Sequence, residues 1–284
     1  MVNIGRYNRL TIKKQVDFGV YLDDGEMGSI LLPRRYVPVE AKIGDTVNVF
    51  VYFDSEDCLI ATTDQPKVLC GHSALLTVKD VNKVGAFMDW GLMKDLLVPF
   101  SEQHKPFEVG QKYVVTAYTD GHSGRILASS KLHRHLKETA HHFKPLAPCE
   151  LLVFGKTDMG YKVVIDERYL GLVFRDEAFK PLRYGQRLKG FIKGTRADGK
   201  IDVLLQLPAG VGRDELCQKI LDYMSSQNGI SYITDKSPPE DIYKIFNVSK
   251  ANYKKALGSL LKQGKIIINP SEIHLNQPAS GLVN

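Results

Sequence analysis

Residues 18–51 read FGVYLDDGEMGSILLPRRYVPVEAKIGDTVNVFV, and the architecture of the chain follows from this stretch. Two of its glycines, Gly19 and Gly44, stand 25 residues apart, and each precedes an alternating apolar segment. Apolar side chains recur at every second position after both glycines, and this period of two is typical of strands. A shorter apolar run, residues 30–32, lies between the two segments. The stretch therefore predicts three short strands separated by turns.

The same pattern occurs twice more along the chain. Gly85 and Gly110, and then Gly160 and Gly185, keep the spacing of 25, and the copies are offset by 66 and 75 residues. Each copy has a further strand ahead of its first glycine and ends in a hairpin with a last strand, which makes five strands per copy. So small a sheet covers its core only by closing, and the oligonucleotide-binding (OB) barrel is the common five-stranded solution. The first glycine of each pair would permit the bend or bulge that closure needs.

After residue 212 the apolar period becomes helical. A first helix is followed by a second that begins at Ser237-Pro238-Pro239, and by a third that Ser249 caps. The third helix is expected to turn Ala256, Leu257, Leu260 and Leu261 inward, and residues 266–275 form a two-stranded wing. This order of elements predicts a winged helix-turn-helix.

The predicted fold class is mainly β with a C-terminal α+β domain: three tandem OB-fold barrels followed by a winged helix. The expected domain boundaries are residues 1–63, 73–131, 148–207 and 213–276. A connecting helix is expected at residues 132–143, which are rich in helix formers and end before Pro145. Its four histidines, His133, His135, His141 and His142, are interpreted as part of a solvated polar helix, because no cysteine and no defined ligand geometry support a metal site.

Four segments carry a resemblance to a known family. Phe18-Gly19-Val20-Tyr21, Gly28-Ser29-Ile30-Leu31, Gly44-Asp45-Thr46-Val47-Asn48-Val49 and Arg125-Ile126-Leu127-Ala128-Ser129 are similar to segments of the S1 RNA-binding motif. The whole chain, with three such barrels and a winged helix, resembles the bacterial conserved virulence factor B family. The resemblance implies an RNA-binding protein that regulates gene expression after transcription.

The resemblance also implies that bases stack on the aromatic residues that flank the first glycine of a barrel. These residues are Phe18 and Tyr21 in the first barrel, and Phe87 in the second. Alternation agrees, because Tyr21 must face outward if Val20 and Leu22 face the core, and an exposed ring stacks on any base. In the third barrel Lys162 takes the place of the second ring, so this barrel is expected to bind less strongly.

Further contacts are expected around these rings. Alternation on the following strand places Tyr52, Tyr118 and Lys193 outward in the three barrels, and Arg125 matches the basic residue of the S1 motif. Arg34 and Arg35 are placed to hold phosphates. The alternative is that the rings pack against neighbouring barrels and that the two arginines are a solvated surface pair.

In the winged helix, the predicted outward side of the third helix carries Lys250, Asn252, Tyr253, Lys254 and Lys255. A helix that enters a groove presents such residues to nucleic acid. Winged helices also dock onto proteins, so an adaptor that binds protein or DNA through this domain is the alternative function.

Composition limits the remaining classes of function. The chain of 284 residues has a formal net charge of +6, which favours polyanionic partners, and single-stranded RNA is the expected one. No catalytic signature is present, so neither enzymatic activity nor a cofactor is expected. No apolar run is long enough for a membrane span and no signal peptide is evident, which predicts a cytoplasmic protein without a membrane partner.

Overall fold

The structure is a computed structural model that describes residues 2–23, 25, 28–140, 142–178, 180–208 and 213–276. The chain forms two compact units. One comprises Met1–Arg175 and Pro181–Val203 and contains the barrels. The other comprises Asp176–Lys180 and Leu204–Asn284 and contains the winged helix.

The first barrel is a closed sheet of five strands, as the sequence predicts. The strands pair in the order β1-β2-β3-β5-β4, and the closing contact is the parallel pairing of Leu31 with Ile60. The strands are β1 (Tyr7–Val16), β2 (Gly19–Asp23), β3 (Ser29–Pro33), β4 (Thr46–Phe53) and β5 (Leu59–Thr62).

The second and third copies repeat this arrangement, so the prediction of three five-stranded barrels is confirmed. In the second barrel β8 and β10 are the ends of the sheet and lie beside each other. In the third, the order β11-β12-β13-β15-β14 closes fully. The second barrel consists of β6 (Ser73–Asn82), β7 (Gly85–Asp89), β8 (Leu96–Pro99), β9 (Lys112–Thr119) and β10 (Ile126–Ser129), and the third of β11 (Pro148–Lys156), β12 (Gly160–Ile165), β13 (Tyr169–Phe174), β14 (Arg187–Thr195) and β15 (Ile201–Leu204).

The first glycine of each copy serves a close approach of two strands rather than a bulge. In the second barrel, a Cβ on Gly85 would lie 2.3 Å from the carbonyl oxygen of Val98 and 2.9 Å from the Cα atom of Pro99. Gly19 and Gly160 meet the following strand in the same way. The bulge itself lies one strand earlier, where the register shifts in β1, β6 and β11.

The first two barrels are joined by an aromatic cluster. The rings of Phe50 and Tyr52 on β4 lie 5.7 and 6.2 Å from Trp90, centroid to centroid, and both meet it edge-on. All three side chains are buried together with the core of the second barrel. The expectation that Tyr52 is exposed for stacking is therefore wrong. Tyr52 does point away from its own barrel, but the second barrel covers it, and burial raises the pKa of its phenol to about 12.

The second and third barrels also share buried apolar contacts. Val114 on β9 packs with Leu152 and Val164 of the third barrel and with Leu132 of the connection. The backbone N–H of Val114 donates to the hydroxyl of Tyr184 at 2.8 Å. In both the first and the second barrel, the outward face of the fourth strand (β4 or β9) thus packs against the next barrel.

The connecting helix predicted for residues 132–143 is wrong. Among its described residues, only Leu132–Arg134 forms a helical turn, which is of the 3₁₀ type. Lys137 and Thr139 form bridges with Tyr169 and Lys200 of the third barrel. The third barrel provides hydrogen-bond partners for the backbone of this segment, and this tertiary pairing overrides its helix propensity. His141 lies outside the described residues, and among the described ones no group of three His, Cys, Asp or Glu side chains could hold a metal ion.

The C-terminal unit is a winged helix, as predicted. Its elements are α1 (Arg213–Ser226), β16 (Ile230–Ser231), α2 (Pro239–Phe246), α3 (Lys250–Lys262), β17 (Ile266–Ile268) and β18 (Ile273–Leu275). β16 adds a third strand to the predicted two-stranded wing. The Ser249 hydroxyl accepts from the N–H of Asn252 at 3.2 Å, so the predicted cap of α3 is confirmed. Leu261 was expected to face inward, but it is 48% exposed.

Tyr253 was expected on the outer side of α3, and this expectation is wrong. Its side chain is fully buried, and its hydroxyl donates to the carbonyl of Ile233 at 2.8 Å. The ring stacks on Phe246, with the centroids 4.9 Å apart. Tyr253 is thus part of the domain core.

Among the described residues, none of the helices has the length and apolar character that a membrane span requires.

We predict that Tyr52→Ala destabilises the barrels, whereas Phe18→Ala does not. Truncating a buried aromatic side chain costs about 3–5 kcal/mol, whereas an exposed substitution changes stability by about 0.5 kcal/mol or less. Urea unfolding, followed by the fluorescence of the single tryptophan, Trp90, measures both variants. Wild-type stability of Tyr52→Ala would contradict the burial of this ring between the first two barrels.

We also predict that Gly85→Ala destabilises the second barrel by roughly 1–3 kcal/mol, because the added methyl group collides with the backbone of β8. Gly121→Ala in the same barrel is the control, since a Cβ there meets nothing within 4 Å. Thermal unfolding of the two variants compares them directly. Equal melting temperatures would show that the two strands can separate without cost.

Candidate nucleic-acid interface

The first barrel presents two aromatic rings at the start of β2. Phe18 is 57% exposed and Tyr21 is half-buried. Their centroids lie 6.3 Å apart with the planes at 86°, so the edge of one ring meets the face of the other. This geometry leaves ring surface open to a base, and aromatic faces of this kind stack on any base. The predicted orientation of both residues agrees with the structure.

Basic groups adjoin this aromatic pair. The backbone N–H of Arg34 donates to the backbone carbonyl of Phe18 at 2.9 Å, so the two residues are neighbours, and the Arg34 side chain is exposed. Lys14 on β1 is also exposed and pairs with Tyr21 across the strands. A strand of nucleic acid that stacked on the rings would therefore have two cations near its phosphates.

Arg35 is engaged differently from its neighbour. Its guanidinium lies 4.5 Å from the centroid of the Tyr36 ring, and it also contacts the sulfur of Met93 in the second barrel. The side chain remains exposed. Arg35 thus bridges the two barrels in addition to adding positive charge next to Arg34.

The second barrel carries rings with a different charge environment. Phe87 is half-buried, and Val84, at the position of Phe18, is 48% exposed. Phe100 is 50% exposed and follows Pro99, which pairs with Gly85. Asp80 faces Phe87 across the strands, where the first barrel has a lysine. This surface is apolar but offers less attraction to phosphate.

Tyr118 is only partly available for stacking. It is half-buried, and its ring stacks on His135 with the centroids 4.0 Å apart. The His135 ring in turn lies 3.1 Å from the carboxylate of Glu102. Burial raises the pKa of the Tyr118 phenol, and the negative charge of Glu102 adds to the effect. One face of this ring is therefore already occupied within the protein.

Arg125 forms an ion pair with Asp57, which lies in the β4–β5 hairpin of the first barrel. Lys94 lies 3.8 Å from the same carboxylate. Arg125 is half exposed, so it remains near the surface where the S1 motif has its basic residue. Its charge is shared with a carboxylate and is therefore weaker toward a phosphate than that of Arg34.

The third barrel replaces rings with cations. Lys162 is exposed on β12, at the position of Tyr21. Lys193 and Arg196 lie 5.7 and 5.9 Å from the centroid of the Phe174 ring, within the range of cation–π contacts. Phe174 pairs with Gly160 and is half-buried.

In the winged helix, two of the expected contacts are used internally. The ammonium of Lys250 donates to the carbonyls of Lys236 and Ser237 at 3.3 and 3.0 Å. The amide of Asn252 donates to the side chain of Gln206 at 3.0 Å. These bonds hold α3 to its surroundings, so neither residue is freely available to nucleic acid.

The two remaining lysines of α3 are exposed. Lys254 lies 4.0 Å from Asp235, and the pair is solvated. Lys255 is exposed as well. With Tyr253 in the core, the outer side of α3 presents two lysines and no ring among the five expected contacts.

Sequence reasoning missed three residues of these surfaces. Lys14 is the cross-strand partner of Tyr21, and Phe100 takes the position of Arg34. Phe174 takes the position of Pro33 and Pro99, opposite the glycine. Aligning the third strands of the three copies would have identified Phe100 and Phe174. Lys14 required the strand register, because the bulge in β1 shifts the pairing.

Family models match most of these domains. A model described as an S1 domain matches residues 4–64 and 70–131, the first two barrels. A model described as a CvfB-like winged helix domain matches residues 218–275. The matched domains are of nucleic-acid-binding rather than enzymatic type, and the chain is accordingly a nucleic-acid-binding protein.

Similar proteins cover nearly the whole chain. The Bacillus subtilis protein YitL is 33% identical over 92% of this chain and 90% of its own. Conserved virulence factor B of Staphylococcus saprophyticus is 27% identical over 86% of this chain and 84% of its own, and that of Staphylococcus aureus is 26% identical over 84% and 82%. The three tandem barrels, the winged helix and these matches agree, and the chain belongs to the conserved virulence factor B family.

Proposed function

We propose that this protein binds single-stranded RNA with little sequence preference, mainly through the first barrel, and regulates gene expression after transcription. The observation that carries the proposal is the exposed ring of Phe18 beside Tyr21, with Arg34 bonded to the backbone of Phe18. Rings supply stacking for any base, and the arginine meets the phosphate. Stacking of this kind requires unpaired bases, which favours a single strand.

Charge supports the first barrel as the main site. Lys14 and Arg34 flank its rings, whereas Asp80 faces Phe87 in the second barrel. One lysine of the second barrel is neutralised as well, since Lys79 lies 2.8 Å from Asp95. The second barrel would then add stacking through Phe87 and Phe100, and little phosphate binding.

The regulatory role rests on the domain types and on the names of the relatives. S1 and winged helix domains bind nucleic acid, and the staphylococcal relatives are called conserved virulence factors. We infer that the protein acts on RNA by occupying it. We place this activity in the cytoplasm, as the sequence suggests.

A second candidate function is docking of a protein partner through the winged helix. Four large apolar side chains are exposed on this small domain: Tyr232 (72%), Ile245 (41%), Leu261 (48%) and Ile267 (48%). Exposed apolar side chains can pack against a protein surface, whereas they offer no bond to a phosphate. The internal bonds of Lys250 and Asn252 point the same way.

We predict that Phe18→Ala and Tyr21→Ala each weaken binding of a labelled single-stranded RNA by about 1–3 kcal/mol, because each removes a stacking surface. Arg34→Gln should lower the slope of log affinity against log salt by about 0.7, as expected for one lost phosphate contact. Titrations at several salt concentrations measure both effects. Ile43→Ala, an exposed apolar change in the same barrel, is the control and should bind normally. Wild-type affinity of the double variant Phe18→Ala/Tyr21→Ala would refute the site.

For the winged helix, we predict that replacing Lys254 and Lys255 by glutamine weakens binding to all RNA sequences alike, because lysine contacts phosphate without reading bases. Because this domain is covalently linked to the barrels, its effective concentration at a bound RNA strand is high, and even weak contacts increase the overall affinity. The same salt titration applies, with Lys250→Gln as the comparison, since Lys250 already bonds two carbonyls. Unchanged affinity and slope would favour the protein-docking function, and a loss confined to one sequence would indicate base reading.

A further inference from the structure

A cleft between the second and third barrels is not used by the proposed stacking site. Its volume is about 610 Å³, within the range of roughly 300–1,000 Å³ that is usual for ligand sites. The cleft is lined on one side by Val114 of the second barrel and by residues 130–133, which lead from the second barrel to the third. On the other side it is lined by residues of β11, β12 and β13 of the third barrel. Phe18, Tyr21 and Phe87 are not among its lining residues.

The packing of the two barrels creates this cleft. Lys162 and Val164 point outward from β12, next to Leu172 and Leu170 of β13. Val164 is fully buried against the second barrel, whereas Lys162 is exposed. The contact between the second and third barrels therefore covers one half of the outward face of β12 and β13 and leaves the other half open. In the third barrel, the face that carries Tyr21 in the first barrel becomes the wall of a cleft.

The walls combine aromatic and aliphatic surface. Phe154 occupies the bulge of β11 and lines the cleft with Leu170 and Leu172. The ring of Tyr184 lines it as well and is 46% exposed. The hydroxyl of Tyr184 accepts from the N–H of Val114 at 2.8 Å, which fixes the position of this ring. Such a surface suits a flat, largely apolar group.

The rim is strongly basic. Five Lys and Arg residues line the cleft, namely Lys131, Lys156, Lys162, Arg196 and Lys200, whereas Glu138 is the single carboxylate among the described lining residues. Arg196 is neutralised by Asp202 at 3.1 Å, and Lys200 lies 4.0 Å from Asp198. Within the described part of the chain, Lys156 and Lys162 form no ion pair. Lys156 pairs with Tyr161 and shares its face of the sheet, with the ammonium 6.0 Å from the centroid of the Tyr161 ring. Lys162, on the outward face, is therefore the cation without a counter-ion that adjoins the apolar wall.

We propose that this cleft binds a nucleoside phosphate, with the base against Phe154, Leu172 and Tyr184 and the phosphate on Lys162. The site does not depend on the stacking site of the first barrel. The nucleotide is either a free molecule or one unit of an RNA strand, because both present the same base and phosphate. An acidic peptide would leave the aromatic wall without a matching ring.

Gly155 offers a way to close the cleft without changing its charge. It pairs with Lys162 across the strands, and a Cβ there would lie 3.7 and 3.8 Å from the Lys162 side chain, in ordinary contact. A valine fits a strand, and its branches would occupy the space between the lysine and the wall. Gly155→Val is thus the steric counterpart of Lys162→Gln.

The test uses the full chain carrying Phe18→Ala and Tyr21→Ala, so that failure of the first-barrel site does not obscure the result. Adenosine 5′-diphosphate and a single-stranded RNA oligomer are titrated separately by calorimetry. Lys162→Gln should weaken binding of the ligand in the cleft about tenfold, as expected when one bond to a charged group is lost. Gly155→Val should abolish this binding. Glu138→Gln should strengthen it. Lys189→Gln, an exposed lysine of the third barrel outside the cleft, is the control.

The outcomes separate the two sources of the nucleotide. If Lys162→Gln and Gly155→Val weaken binding of the diphosphate, the natural ligand is a free nucleotide. If they weaken binding of the RNA oligomer alone, the ligand is one nucleotide unit of an RNA strand. The proposal is overturned if neither ligand responds to the two substitutions. It is equally overturned if tripolyphosphate or a polyglutamate peptide binds as tightly with the same dependence. Melting temperatures of the variants establish that each is folded, and Lys162→Gln, a surface change, decides the matter if Gly155→Val unfolds.

Discussion

The outward face of the fourth strand is buried against the next barrel, and this packing sets the arrangement of the N-terminal unit. In the first barrel, Phe50 and Tyr52 pack on Trp90, and in the second, Val114 packs on Leu152 and Val164. A barrel of about 60 residues has a small core, so burial of these extra side chains contributes much of its stability. The same contact withdraws the covered side chains from any ligand.

The three equivalent surfaces differ as a result. The first barrel keeps Phe18 and Tyr21 open and adds cations, and this supports its role as the main stacking site. The second barrel keeps apolar rings, but Asp80 faces Phe87 where the first barrel has Lys14 facing Tyr21. In the third, the joint covers Val164 and leaves Lys162 at the rim of a cleft. One repeated fold thus yields a stacking surface, an apolar surface and a basic cleft.

The winged helix follows the same separation of core from surface. Tyr253 lies on the third helix among lysines, yet its ring completes the core and its hydroxyl bonds to Ile233. Burial of the hydroxyl costs little because this bond satisfies it. Lys250 and Asn252 tie the helix to neighbouring segments. What remains outside is two lysines and several exposed apolar side chains, a mixture that suits weak phosphate contact or a protein partner.

The sequence by itself determined the strands, the three glycine pairs, the cap at Ser249 and the outward direction of Phe18 and Tyr21. These features are local: a period of two decides which side chains leave the barrel, and a serine before a helix bonds to the helix itself. The tertiary structure decided the rest. Tyr52 points away from its barrel just as Tyr21 does, but the second barrel covers it. The segment predicted as a helix instead pairs with the third barrel at Lys137 and Thr139. Alternation specifies a direction relative to one sheet, whereas exposure depends on what the neighbouring barrel places there, and only the packed structure contains that information.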